Sequence, residues 1–271
     1  MLGAIIGDTV GSIYEFNNSK STKFELFSPN SSPTDDSVMS MAVAEWLLTD
    51  PERTQEKLEE SMLRWGKRYP HPLGGYGGAF CRWLFYPEYL GGRHPYNSWG
   101  NGSAMRCSAC GWVAKTLKEA EELAQRSAEI THNHPEGIKG AQSVAASVWM
   151  ARNNATKEEI REYITSRFCY NLTMTCDDIR PEYRFDASCQ GTVPQAIVAF
   201  LDSSDFESAI RLAVSLGGDS DTLTCITGAI AEAFYKDIPA EIIEEMHNRI
   251  DEDWWVIIKK IQSGNKSSKM E

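Results

Sequence analysis

Apolar residues along this chain recur at three- and four-residue spacings far more often than in alternation, the signature of helices that bury one face. The pattern predicts helices over about 2–16, 37–49, 54–68, 103–116, 118–131, 135–152, 156–167, 192–201, 205–216, 222–236 and 239–262. Local punctuation supports several limits: Asp50-Pro51 stops the second, Pro135 opens the sixth, and Ile238-Pro239 precedes the last. Strand-like alternation is confined to a few residues near Lys23–Phe27. The expected fold class is all-α, a compact single-domain helical bundle.

No linker rich in Ser, Gly or Pro divides the chain, and no segment repeats at a fixed period. One domain over residues 1–262 is expected, followed by a polar, disorder-prone tail over 263–271. The longest irregular stretches, Pro70–Gly102 and Asn171–Gly191, are where a binding surface is expected. In the first helix Gly3, Gly7 and Gly11 fall four apart, leaving one face bare for another backbone to approach. Glu15 continues the same series to the helix end.

Composition narrows the partners. The chain has 271 residues, enough for a substantial core, and a formal charge of −11, which argues against nucleic acid as a partner. Seven cysteines, an odd number, fit a reducing cytoplasm better than a disulfide framework. Cys107-Ser-Ala-Cys110 lacks the second pair that structural zinc requires. Met1–Phe16 is apolar but has no basic lead, carries Asp8 and Glu15, and is too short to span a bilayer, so neither secretion nor a membrane is expected. No long heptad pattern demands a second copy, which makes a monomer the expectation.

Two acidic clusters carry the strongest chemical signal. Thr34-Asp35-Asp36 and Asp219-Ser220-Asp221-Thr222 each precede an apolar helical stretch. Capping a helix or closing a solvated turn explains either one alone. Capping needs a single oxygen, however, and each cluster offers three. If folding joins them, they form a nest of hard oxygen ligands suited to Mg²⁺ or Mn²⁺.

Three further motifs have a bland and a sharp reading. In Tyr96–Arg106, Gly100 and Gly102 either make an ordinary turn or aim backbone N–H groups at a phosphate ahead of a helix start. His132 in Thr131-His-Asn-His-Pro135 is a cap, a packed ring or a donor to phosphate or ribose. Gly75–Gly78 with Phe80, Trp83 and Phe85 is core or the flank of a flat ring, while Asp177-Asp178 beside Arg180 reads as a salt-bridged turn.

Taken together, GDTVGSIYE (7–15), PTDDSVM (33–39), GNGSAMR (100–106), ITHNHPEGIKGA (130–141) and SLGGDSDT (215–222) resemble the ADP-ribosylglycohydrolase family, in family order and over most of the chain. The resemblance implies an orthogonal helical bundle of that type with two Mg²⁺ or Mn²⁺ ions held by Thr34, Asp35, Asp36, Asp219, Asp221 and Thr222. Glu15, Asp35 and Asp36 would be catalytic. Gly100, Asn101, Gly102, Ser103, Met105, Arg106 and His132 would hold the diphosphate and distal ribose. The implied reaction is hydrolysis of the glycosidic bond at the distal ribose of an ADP-ribosylated protein or small-molecule conjugate, releasing ADP-ribose. Arginine-specific bacterial members carry an extra catalytic Asp upstream of the glycine loop, where Tyr96–Trp99 offers no carboxylate. Arginine, serine, O-acetyl and other linkages therefore stay open. The alternatives are a metal-dependent nucleotide phosphohydrolase and a non-catalytic ADP-ribose-binding protein.

Overall fold

A computed structural model describes residues 1–263 of the chain. Its elements, in chain order, are α1 (Leu2–Gly11, followed by a 3₁₀ turn over Ser12–Tyr14), α2 (Asp35–Thr49), α3 (Gln55–Arg68), α4 (Gly78–Phe85, followed by a 3₁₀ turn over Pro87–Leu90), α5 (Gly102–Met105), α6 (Ser108–Val113), α7 (Leu117–Glu129) and α8 (Pro135–Arg152). Then come α9 (Lys157–Phe168), α10 (Cys176–Ile179), α11 (Cys189–Asp202), α12 (Phe206–Leu216), α13 (Ser220–Tyr235), α14 (Ala240–His247) and α15 (Glu252–Ser263). The fold is all-α; among the described residues β-type pairing is limited to the isolated bridges Thr34–Leu73 and Gly100–Ser188. No described helix is long and apolar enough to cross a membrane.

Several helix limits differ from those the periodicity predicts, each for a local reason. The first helix stops at Gly11 instead of 16; Thr9 and Ser12 turn their hydroxyls back onto the carbonyls of Ile5 and Thr9, which tightens the chain into a 3₁₀ turn. The expected 103–116 helix is broken at Arg106-Cys107, where the Met105 carbonyl accepts from Ser40 Oγ and Cys225 Sγ. The last helix splits around Asn248–Asp251, a segment bounded by an Asn and an Asp, both of low helix propensity. Helix α4 was hidden by the glycines before it, although Phe80, Trp83 and Leu84 have core-facing spacing and are buried. Lys23–Phe27 forms no strand; the Phe24 ring packs on Tyr14 and its carbonyl accepts from Arg211. Of the expected tail, Ser263 closes α15 and residues 264–271 lie outside those described.

The site is positioned by two helices that are buried almost all round, α1 and α13. They pack antiparallel along the glycine face. A Cβ at Gly3 would lie 2.7 Å from Glu232 Cβ, one at Gly7 would overlap the Thr224 carbonyl, and one at Gly11 would lie 2.6 Å from Asp221 Cα. At one end of the pair the Glu232 carboxylate accepts from Gly3 N at 2.8 Å and pairs with the Met1 amine. At the other end, the segment after α1 that carries Glu15 meets the start of α13 with Asp219 and Asp221. Helices α8, α11 and α12 pack around α13, and α2 lies against α1.

Gly7→Ala should therefore lower the melting temperature by roughly 3–10 °C, the cost of overpacking a seam with no slack. Gly78→Ala, whose Cβ would meet nothing within 4 Å, should stay near wild type. Equal melting temperatures for both variants in a thermal-denaturation series would contradict this packing.

Candidate functional site

The first acidic cluster is built on α2, whose capping is done by Thr34 alone: its Oγ1 accepts from Asp36 N at 3.2 Å. Asp35 and Asp36, in the first turn, are thereby released from capping. Beneath them lies Asp8 of α1, fully buried, which accepts from Thr34 N at 2.9 Å, Thr34 Oγ1 at 2.6 Å, Ser37 N at 3.1 Å and Ser37 Oγ. This carboxylate fastens the start of α2 to α1. Sequence reasoning passed over it; its signal was a charged residue inside an otherwise apolar, glycine-stepped helix.

The second cluster opens α13, and Asp219, at the N-cap position, makes no capping bond with its side chain. Its Oδ2 accepts instead from Asn101 Nδ2 at 2.7 Å, and the same amide nitrogen donates to Thr192 Oγ1 at 3.0 Å. One cavity of about 410 Å³ is lined by Glu15, Asp35, Asp36, Asp219, Asp221 and Thr222, so folding does bring the two clusters together. Carboxylate oxygens of Glu15, Asp219 and Asp221 lie within 4.8 Å of one another. Asp36 Oδ2 and Asp221 Oδ1 are buried with no hydrogen-bond partner among the described residues. Buried anionic oxygens left unpaired are costly, and a hard divalent cation satisfies them; this donor set fits Mg²⁺ or Mn²⁺.

Burial and mutual repulsion push these acids up. Burial raises Asp8 to about 6 against the pull of its four hydrogen bonds. Glu15 rises to about 7 through burial and then the charges of Asp219 and Asp8. Asp35, Asp36 and Asp221 are held well above the usual carboxylate range by burial first and neighbouring carboxylates second. Asp219 is raised by burial, with hydrogen bonds from Asp221 and Asn101 opposing.

The other wall of the cavity carries the glycine loop: Gly100, Asn101, Gly102, Met105, Arg106 and His132 line it. Arg106 is buried, its Nη2 donating to Ser127 O at 2.7 Å and Thr131 Oγ1 at 2.9 Å. Because a guanidinium only donates, the Thr131 hydroxyl keeps its own proton for His132 Nδ1, 2.7 Å away. Burial and the Arg106 charge lower the His132 pKa well below its ordinary value, so the ring is neutral with its proton on Nε2. That nitrogen faces the loop, 3.2 Å from where a Gly102 Cβ would sit. Two expected site residues do not line the cavity: Thr34, whose hydroxyl proton goes to Asp8, and Ser103, whose hydroxyl donates to Gly137 O at 2.7 Å. Glu15 sits past the 3₁₀ turn, half-buried, with Oε2 2.6 Å from the Cβ position of Gly74, whose φ is +78°. A side chain at 74 would be both strained and in the way of that carboxylate.

Residues 1–265 match the family model for ADP-ribosylglycohydrolase. The chain is 26% identical over 275 residues to ADP-ribosylarginine hydrolase Tri1 of Pseudomonas putida (strain GB-1), covering 91% of this chain and 72% of that protein. It is 26% identical over 313 residues to ADP-ribosylhydrolase ARH3 of Homo sapiens, covering 87% and 84%. A solved structure titled ADP-ribosylglycohydrolase-related protein complex superposes with a TM-score of 0.76 at 24% identity, over 97% of this chain and 95% of that one, a likeness of fold.

Raised pKa values mean that the metal-free folded form binds more protons than the unfolded chain between roughly pH 4, where unfolded carboxylates titrate, and pH 7. Stability from this cluster is therefore greatest below that window and is lost as the pH rises through it. Without metal, Asp221→Asn should melt above wild type at about pH 7.5 and close to it at about pH 4.5. Added Mg²⁺ or Mn²⁺ should raise the wild-type melting temperature more at the higher pH and leave the variant nearly unmoved. A metal shift of equal size at both pH values, read by thermal denaturation, would contradict the nest.

Proposed function

Because the chain belongs to the ADP-ribosylglycohydrolase family, we propose that it is a hydrolase that cleaves the glycosidic bond at the distal ribose of an ADP-ribosyl conjugate, on a protein or a small molecule, and releases ADP-ribose. The observation that carries this reading is the meeting of six cavity-lining acid and hydroxyl side chains from distant segments opposite a glycine loop. The printed names of the relatives, hydrolases of ADP-ribosyl groups, support the same class.

In this reading Asp35, Asp36, Asp219, Asp221 and Thr222 hold two Mg²⁺ or Mn²⁺ ions. Thr34 Oγ1 donates to Asp8 and accepts from Asp36 N, which leaves one lone pair for the same purpose. When bound, such ions orient vicinal ribose hydroxyls and make a nearby water more acidic. Asn101 fixes the rotamer of Asp219. The Gly102 amide and the Nε2 proton of His132 bind diphosphate oxygens, while the Gly100 and Asn101 amides hold the loop in place by donating to Ser98 Oγ at 3.1 Å and the Ala187 carbonyl at 2.8 Å.

Glu15 is the proton acceptor. Burial and then the charges of Asp219 and Asp8 raise its pKa in the metal-free protein, and cations held beside it would draw it back down, so that it is ionised at neutral pH and placed to take a proton from water. The water oxygen bonds to the anomeric carbon as the bond to the leaving atom breaks; the electron pair goes to that atom, which takes the proton that Glu15 removed from the water. The surrounding carboxylates stabilise positive charge developing on the sugar.

Glu15→Gln should lower kcat by roughly 10²–10⁴ while keeping the metal-induced rise in melting temperature. Asp219→Ala should abolish both. Mass spectrometry of wild-type products should show intact ADP-ribose, dependent on divalent metal. AMP with ribose phosphate would indicate a phosphohydrolase instead, and chelator-insensitive binding of ADP-ribose without turnover would indicate a binding protein.

A further inference from the structure

One exposed side chain joins the backbone of Glu15 to the backbone just before Asp219. Asn18 follows Glu15 in the segment that leaves the 3₁₀ turn after α1. Its Nδ2 donates to the carbonyls of Tyr14, Glu15 and Gly218 at 2.7, 2.9 and 2.9 Å, and its Oδ1 accepts from Gly218 N at 2.8 Å. Three carbonyls on one side of the amide and an N–H on the other fix which end is nitrogen. The side chain thus takes both polar groups of Gly218, as a paired strand would, and still reaches the carbonyls of Tyr14 and Glu15.

Gly218 is a firm anchor for such a tie. Gly217 and Gly218 turn the chain from α12 into α13 with φ of +72° and +76°. A Cβ at 218 would lie 2.5 Å from Tyr183 Cε1 and 3.1 Å from Arg184 O, so the turn is packed as well as bent. Lys20 Nζ closes it from outside, donating to Leu216 O and, at 2.9 Å, to Tyr183 O. Asp219, next in the chain, is held separately by Asn101 Nδ2 at 2.7 Å.

Glu15 lacks a hold of that kind. Its carboxylate accepts no hydrogen bond from any described residue, and it stands within 4.8 Å of carboxylate oxygens of Asp219 and Asp221, which repel it. The restraint therefore lies in the backbone, where Asn18 ties the Glu15 carbonyl to the Gly218 turn. Farther along the same segment, Arg211 Nη1 donates to Thr22 O at 3.3 Å and Phe24 O at 2.7 Å, so the segment stays attached to α12 without Asn18. Only an amide meets the need at 18: an Asp would set a carboxylate against three carbonyl oxygens, and a hydroxyl has one proton for all three.

We propose that Asn18 is a positioning residue for Glu15: by clamping the Glu15 peptide to the Gly218 turn, it sets the distance between the proton acceptor and Asp219 against their mutual repulsion. The inference rests on the reading of Glu15 as the proton acceptor of the hydrolysis. It assigns the placement of that carboxylate to a side chain that lies outside the cavity lining and touches neither metal nor substrate.

The test is steady-state kinetics of the full chain with Mn²⁺, on whichever of ADP-ribosyl-arginine, ADP-ribosyl-serine and O-acetyl-ADP-ribose wild type turns over. Asn18→Leu keeps the shape of the side chain without its polar atoms. It should lower kcat by roughly 10- to 100-fold, the cost of misplacing a reacting group by about 1 Å, leave KM within about threefold and keep the metal-induced rise in melting temperature. Asn18→Ala, which adds no apolar surface, should show the same losses. Asn17→Leu, at the exposed neighbouring position, should match wild type. In the Glu15→Gln background Asn18→Leu should lower kcat by less than about threefold further, because side chains that act as one unit are not additive. An unchanged kcat in Asn18→Leu, an equal loss in Asn17→Leu, a KM effect as large as the kcat effect, disappearance of the metal-induced rise, or the full loss recurring beside Glu15→Gln would overturn the inference while leaving the hydrolase reading intact. Wild-type turnover by Glu15→Gln would remove the proton acceptor, and release of ADP-ribose from none of the three substrates by wild type would overturn the hydrolase reading itself; either result takes this inference with it.

Discussion

Carboxylates crowded into a buried space repel one another, and everything else in this fold is arranged so that they are nonetheless held together. The seam between α1 and α13 does most of that holding. With glycine at 3, 7 and 11 the two backbones approach so closely that no side chain fits between them, and the register of the seam sets Glu15 against the first turn of α13. Asp8 then fastens α2 to α1 through four hydrogen bonds, so that Asp35 and Asp36 face Asp219 and Asp221 across one cavity. The apolar core stabilises a geometry that the electrostatics alone would disperse.

The energetic cost of that geometry is visible in the acids themselves. All six are shifted towards the protonated form, chiefly by burial, and two buried oxygens have no partner among the described residues. A protein surface rarely keeps such a cluster without a counter-charge. The opposite wall is of another character. It presents the Gly102 amide and a neutral histidine whose tautomer is set by Thr131 and Arg106. A ligand that is polyanionic at one end and a polyol at the other suits such a divided cavity.

Much of this was legible in the sequence because it rests on local rules. Thr34 caps α2 as a threonine before an apolar run should, and the extra oxygens of Asp35 and Asp36 stood out because one cap needs only one of them. The glycine steps of α1 read directly as a close-packed face. What escaped was set by contacts remote in sequence. Asp8 looked merely like a charge in an apolar segment, since its partners Thr34 and Ser37 lie on another helix. The break at Arg106-Cys107 depends on Ser40 and Cys225 reaching the Met105 carbonyl. Helix α4 lay behind a glycine run that composition alone assigns to loop.

The central claim is that acidic segments from opposite ends of the chain converge to hold a pair of divalent cations beside a sugar site. Anomalous diffraction from crystals grown with Mn²⁺ tests it most directly. The account predicts two manganese peaks within the cavity, bounded by residues 34–36 on one side and 219–222 on the other. Peaks only elsewhere on the surface, or none in crystals whose Mn²⁺ concentration supports turnover, would contradict it.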